Sequence, residues 1–328
     1  MAAHDRPLVL VTRALPDGWL DRLSSYELLV GPADRAGWTP PLLEALPRAD
    51  AIFCLLTEPI DETILSRAPR LRVVSNMAVG VDNIDVAACT RRAVPVGHTP
   101  GVLTEATADL TFALLLARAR RLPEATTDAR QGRWSIWSPD GWLGADLHGA
   151  TLGIVGMGKI GRAVCRRAAG FGLKVVYAHP RPVADLPGEP TPRHVELPEL
   201  LATSDFVSLH VPLTPATRGL VDAAALRQMK RTAILVNTAR GPIVDADALL
   251  EALAAGEIAG AALDVTDPEP LPPSSPLYAH PNVLIAPHIG SATEGTRRAM
   301  AELACDNVVA ALEGRRLPHC VNPSVYDA

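Results

Sequence analysis

The stretch Thr151–Ala178 constrains this chain most. The apolar run Thr151–Val155 leads directly into Gly156-Met157-Gly158-Lys159-Ile160-Gly161, and a helical pattern follows. Ile160, Val164 and Ala168 share one face of that pattern, Arg162, Arg166 and Arg167 the other, and Gly170 is a suitable stop. A second strand-like run, Lys174–Ala178, completes a unit of about thirty residues. A bare G-x-G-x-x-G is often only a flexible loop; between a strand and a helix each glycine has a task. The first permits a tight turn, the second lets backbone approach a pyrophosphate, and the third lets helix lie against strand. The helix amino end then meets the phosphates. Residues 156–161 therefore read as a dinucleotide cradle.

The same alternation fills the chain. Strand-like runs occur at Leu8–Thr12, Leu28–Val30, Ala51–Leu56, Arg72–Asn76 and Val94–Gly97. Others occur at Phe206–Leu209, Ala233–Asn237, Ala259–Asp264 and Val283–Ile285, with helical spacers such as Pro40–Leu46 and Asp61–Ala68. Strands separated by helices imply βαβ units and parallel sheets covered on both faces, the α/β class. A length of 328 residues suits two domains. Two longer helical patterns, Leu103–Arg121 and Ala292–Glu313, flank the second block as surface helices or connectors. Trp134, Trp137 and Trp142 lie among turn-forming residues, a composition typical of an interface and so of a homodimer.

Charge and composition exclude several classes. Lys and Arg number 31 against 36 Asp and Glu, a net charge of −5, so no basic field for nucleic acid is expected. No run approaches the ~18 apolar residues of a membrane span; the best, Phe112–Ala119, is broken by Arg118. Leu8–Val11 is too short for a secretory apolar segment. Cys54, Cys89, Cys165, Cys305 and Cys320 are scattered and form no C-x-x-C, which fits reduced thiols in a cytoplasm and no metal site.

An NAD site ordinarily carries Asp or Glu about twenty residues after the glycines, bonding the ribose hydroxyls. Here His179-Pro180-Arg181 occupies that place. A missing acid and a nearby guanidinium favour the 2′-phosphate of NADP(H), with NAD(H) possible in a tolerant pocket where Arg181 is only solvated. Three further residues follow strands: Arg240 in Asn237–Gly241, Glu269 in Asp264–Pro270, and His288 in Ala286–Gly290. Singly, each has an ordinary reading as a surface cation, a loop acid and a turn histidine. Together they supply an anion anchor, a carboxylate and a proton donor, which a keto-acid reduction requires.

That combination resembles the D-isomer-specific 2-hydroxyacid dehydrogenases over nearly the whole chain. The family's patterns stand as Leu152–Arg162, Leu235–Asp245 (LVNTARGPIVD), Ala262–Pro272 (ALDVTDPEPLP) and Pro287–Ser291 (PHIGS). Asn76–Asp85, His98–Asp109 and the Trp-rich segment are most similar to glyoxylate/hydroxypyruvate reductases within it. The resemblance implies two doubly wound parallel-sheet domains, a Rossmann nucleotide-binding domain inserted in a flavodoxin-like substrate domain. Residues 1–99 and 287–328 would form the substrate domain and 100–286 the nucleotide domain, with the two long helices crossing between them.

The resemblance also implies roles. Arg240 would bind the carboxylate of a small 2-keto acid together with backbone N–H groups near Val79 and Gly80. His288 would be the general acid, since a histidine near neutrality is easily tuned. Glu269 would hold its ring and favour the imidazolium. Asp264 matches the position that contacts the nicotinamide amide; Thr104, Val211, Pro212, Thr238, Ala239 and Gly290 match further cofactor positions. Two other readings use the same residues: a different acid (2-ketogluconate, phosphoglycerate, D-lactate or phosphite), or a dehydrogenase-like co-repressor acting by protein binding. A formate dehydrogenase is disfavoured, because a glutamine would be expected where Glu269 stands.

Overall fold

A computed structural model describes residues 6–187 and 191–327. It divides into two compact units, Met1–Leu103 with Thr293–Ala328, and Thr104–Ala292.

The first unit is built on strands β1 (Leu8–Val11), β2 (Glu27–Val30), β3 (Ala49–Cys54), β4 (Val73–Asn76) and β5 (Val96–Gly97), all parallel, in the order β2-β1-β3-β4-β5. This is the flavodoxin-like order. Strands β1, β3 and β4 are buried along their whole length, as helices on both faces require. One of those helices comes from far along the chain: Glu294–Leu312 packs on β3 and β4 and buries Met300, Ala304 and Val308. Ser75 Oγ donates to the Ala304 carbonyl at 2.8 Å. Arg72 Nη2 donates to the carbonyls of Ala311 and Leu312, satisfying acceptors the helix end leaves open.

Residues 319–322 cover the free edge of β5, which would otherwise offer unpaired backbone groups. Gly97 and Cys320 form an antiparallel bridge, and Val321 N–H donates to Val96 O at 2.8 Å. Two buried asparagines fix this edge. Asn307 donates to His98 O and accepts from His319 N–H, and Asn322 accepts from Val96 N–H. Glu58, wholly buried, keeps its charge by accepting from the Thr12 and Thr57 hydroxyls and the Gly37 and Leu55 amides. Burial alone would raise its pKa; those hydrogen bonds outweigh burial and lower it.

The second unit holds strands β6 (Thr151–Val155), β7 (Lys174–Ala178), β8 (Arg193–His194), β9 (Phe206–Leu209), β10 (Ile234–Asn237), β11 (Gly260–Leu263) and β12 (Val283–Ile285). All are parallel, in the order β12-β11-β10-β9-β6-β7-β8. Counted from β6 this is the Rossmann order, and β6 and β9 flank the point where the winding reverses. Side chains alternate between two cores. Leu152, Ile154, Phe206, Ile234, Val236 and Ala262 enter one, and Val207, Leu209, Leu235, Ala261 and Leu263 enter the other.

The boundaries differ from the expected 99/100 and 286/287. The helix Thr104–Ala119 lies wholly within the second unit, where it packs on β10, β11 and the helix Lys159–Gly170. Glu294–Leu312 lies wholly within the first. His288 and Gly290, expected in the substrate domain, belong to the second unit because Asp264 holds their loop. Among the elements that the apolar pattern does not mark are β8, with no apolar residue, and the helix Leu122–Arg130, which buries none of its residues. Among the described residues no helix is long and apolar enough to cross a membrane.

Candidate active site

The glycine-rich turn connects β6 to the helix Lys159–Gly170. Gly156 has φ +96°, and a Cβ there would lie 2.6 Å from His210 O and 2.9 Å from Val211 Cγ1. A Cβ on Gly161 would lie 2.1 Å from Gly156 O. Those two glycines are required by the protein itself. Gly158 is different: a Cβ there would meet nothing within 4 Å, and no side chain caps the helix it precedes. Open space over an uncapped helix amino end fits a pyrophosphate. Met157 has its side chain buried in the core, so only its backbone faces this turn, while Lys159 is exposed and Ile160 half-buried.

At the end of β7, Met157 N–H donates to His179 Nδ1 at 3.3 Å. A neutral ring accepting at Nδ1 carries its hydrogen on Nε2 and so presents a donor where an acidic residue would present acceptors. The loop beyond is anchored. Val183 N–H donates to Tyr177 Oη at 2.9 Å, Arg162 Nη1 to Ala184 O at 3.4 Å, and His194 Nε2 lies 2.8 Å from His179 O. Pro180 and Arg181 are exposed on that loop.

Three neighbouring parallel strands deliver the other residues at their carboxyl ends, where such sheets bind ligands. After β10, Asn237 ties a tight turn: its Nδ2 donates to Arg240 O at 2.9 Å and its Oδ1 accepts from Ala239 N–H at 3.0 Å. Arg240 Nη1 donates to Ala239 O at 2.8 Å. Asn237 lay inside the motif, yet only the fold shows that it braces the arginine. Nearby, Thr238 Oγ1 lies 3.0 Å from Thr111 Oγ1, and Pro212 O accepts from Thr217 Oγ1 at 2.6 Å. Thr104 opens its helix.

After β11 comes Asp264, with 2% exposure. Its Oδ1 accepts from Ile289 N–H at 2.7 Å and its Oδ2 from Gly290 N–H at 2.8 Å. The carboxylate assigned from sequence to the cofactor thus holds the loop that follows β12. Burial pushes its pKa up, against the pull of those two amides. His288, between Asp264 and its loop partners, sits at φ +52°, a conformation unfavourable for a side chain with Cβ. Its N–H donates to Asp264 O at 2.9 Å. The imidazole Nδ1 is 2.5 Å from Glu269 Oε1, and Glu269 Oε2 accepts from Thr266 N–H at 3.4 Å. Arg240, Glu269 and His288 therefore all arise from one unit and one sheet edge. Val79 and Gly80 follow β4 in the other unit and are, respectively, half-buried residues of its loop. Among the described residues no three His, Cys, Asp or Glu side chains gather to hold a metal.

Residues 112–290 match the family of D-isomer specific 2-hydroxyacid dehydrogenases, in its NAD binding domain. This span covers the glycine turn, Arg240, Glu269 and His288. The chain belongs to that family. This 2-hydroxyacid dehydrogenase is 48% identical to the glyoxylate reductase of Korarchaeum cryptofilum, over 98% of its own length and 97% of the relative's. Among solved structures, the TT0316 protein of Thermus thermophilus matches with a TM-score of 0.89 and 50% identity, covering 96% of this chain and 99% of that one. An NADPH-dependent glyoxylate/hydroxypyruvate reductase of Sinorhizobium meliloti, in complex with NADP and malonate, matches with a TM-score of 0.84 and 33% identity, covering 97% of each. The dehydrogenase uses a nicotinamide cofactor.

Proposed function

We propose that this dehydrogenase reduces glyoxylate and hydroxypyruvate to glycolate and D-glycerate, with NADPH preferred over NADH. The observation that carries the chemistry is the His288–Glu269 pair at 2.5 Å beside the turn of Arg240. Nicotinamide, when bound, supplies a hydride to the carbonyl carbon. Negative charge then grows on the carbonyl oxygen, and His288, held by Glu269 at Nδ1, delivers a proton to it from Nε2. Glu269 fixes the ring's orientation and offsets the charge of the imidazolium. Arg240 receives the substrate carboxylate, which positions the acid and polarises its carbonyl. His288 and Glu269 side chains are 25% and 32% exposed, so water can return the proton after each cycle.

The cofactor preference is supported by His179, which offers a donor, by Arg181, and by the anchors of their loop. Charge-assisted hydrogen bonds of about 1.5–3 kcal/mol correspond to a tenfold to hundredfold preference. Oxidation of each cofactor with glyoxylate and hydroxypyruvate tests both parts. Expected is a kcat/KM for NADPH at least about tenfold above NADH, and a tenfold loss for NADPH alone in Arg181→Ala. A preference for NADH in the unmodified enzyme overturns the cofactor assignment; inactivity on both acids overturns the substrate.

A second copy of the chain is the proposed partner. Trp134, Ile136, Trp137 and Leu143 are 73%, 78%, 77% and 66% exposed in a segment without regular structure, more apolar surface than a monomer ordinarily leaves uncovered. Sedimentation as a fully active monomer at micromolar concentration would rule this out. The cytoplasm is the proposed compartment, since the five cysteines are all unpaired.

A further inference from the structure

We propose that His98 is a positioning residue that aims the Gly80 amide at the substrate carboxylate, an inference that rests on the keto-acid function above. After β4 the chain makes a turn in which successive carbonyls are each captured. Thr99 N–H donates to Ala78 O at 2.9 Å, His98 Nδ1 lies 3.0 Å from Val79 O, and Asn76 Nδ2 donates to Gly80 O at 2.9 Å. A carbonyl can only accept, so the ring carries hydrogen on Nδ1.

In a planar trans peptide the N–H of one residue points opposite to the carbonyl of the residue before it. Drawing Ala78 O and Val79 O towards Thr99 and His98 therefore turns the Val79 and Gly80 amides the other way, side by side. Among the described residues neither amide donates to a protein acceptor. Half-buried N–H groups demand an acceptor, and two adjacent ones form a concave anion site. A carboxylate has the charge and the two oxygens for it.

The partners of the turn differ in kind. Thr99 acts through backbone, and Asn76 is wholly buried with its Nδ2 also on Asn83 Oδ1 and its Oδ1 accepting from Cys54 Sγ. His98 is a partly exposed side chain, and its own backbone is held independently by His319 and Asn307. Its ring can thus be changed while the chain around it stays fastened. Without the ring, Val79 O loses its donor and the Gly80 amide loses its direction. An interaction made equally with ground state and transition state affects KM rather than kcat.

The test compares His98→Leu with His98→Asn, whose side-chain amide nitrogen can take the place of Nδ1. In His98→Leu, KM for glyoxylate and Kd for oxalate should both rise about tenfold, the loss of roughly one hydrogen bond, with kcat within about threefold and NADPH affinity unchanged. His98→Asn should restore both constants to within about twofold of the unmodified enzyme. Unchanged KM and Kd in His98→Leu, or a fall in kcat alone, overturn the proposal. If the leucine variant does not fold, the amide NMR signals of Val79 and Gly80 in the unmodified protein decide it: they should move on addition of oxalate, and stationary signals overturn the cradle. Oxalate binding without glyoxylate turnover would sink the proposed function and leave the His98 comparison intact. Absence of both would sink the two together.

Discussion

Replacing His288 by alanine should lower turnover of glyoxylate by about 10²–10⁴, the contribution expected of a positioned general acid. The loss should fall on kcat, because the ring meets the substrate oxygen most strongly when negative charge has built there. NADPH binding should persist, since the glycine turn, between β6 and the helix after it, is left unchanged. Cofactor fluorescence or calorimetry reads that half of the expectation. Glu269→Gln keeps the size of the side chain but removes the charge that offsets the protonated ring, so a smaller fall is expected. Near-normal turnover in His288→Ala would exclude the histidine as the proton donor.

Gly241→Ala is expected to damage the site as severely, by a different route. A Cβ at this position would lie 1.9 Å from Thr266 O and 2.1 Å from Thr266 C, both backbone atoms that no rotamer change can move aside. Gly241 follows Arg240, and Thr266 precedes Glu269 while donating its N–H to that carboxylate. The turn of the arginine and the loop of the glutamate therefore lie too close to admit even one methyl group between them. Destabilisation of about 3 kcal/mol, the upper end for overpacking, should accompany a loss of activity of at least about a hundredfold. Gly158→Ala provides the contrast. Its Cβ meets no protein atom, so the melting midpoint should hold while KM for the cofactor rises. A Gly241→Ala enzyme with normal melting and normal kcat/KM would show that the two loops do not depend on their close approach.

Much of this was legible without coordinates because burial writes itself into parallel strands. Thr151–Val155, Lys174–Ala178, Phe206–Leu209 and Val283–Ile285 are strands at the residues where their apolar runs fall. The proposed trio of Arg240, Glu269 and His288 drew notice for a related reason, since each member follows such a run. Arg193–His194 did not, because a two-residue edge strand needs only backbone pairing with β7 and no apolar side chain. Side chains that hold loops were equally hidden. Asp264 and His98 each bond to a backbone that comes close only after folding, and Asn237 braces its own turn; nothing in local spacing separates them from ordinary polar residues. The family resemblance gave Asp264 a place at the cofactor, and the fold adds that its two oxygens accept from the Ile289 and Gly290 amides.

The discontinuous first unit sets an order of events on the ribosome. Its strands β1 to β5 emerge early, but the helix that covers β3 and β4 and the residues that close the edge of β5 are translated after the whole of Thr104–Ala292. The second unit is contiguous and can complete its sheet as soon as β12 has cleared the exit tunnel. The nascent chain thus carries an uncovered parallel sheet, with an open strand edge, through more than half of its synthesis. Chaperone capture and aggregation during expression should therefore track the first unit, and slow codons would be most harmful between residues 104 and 312.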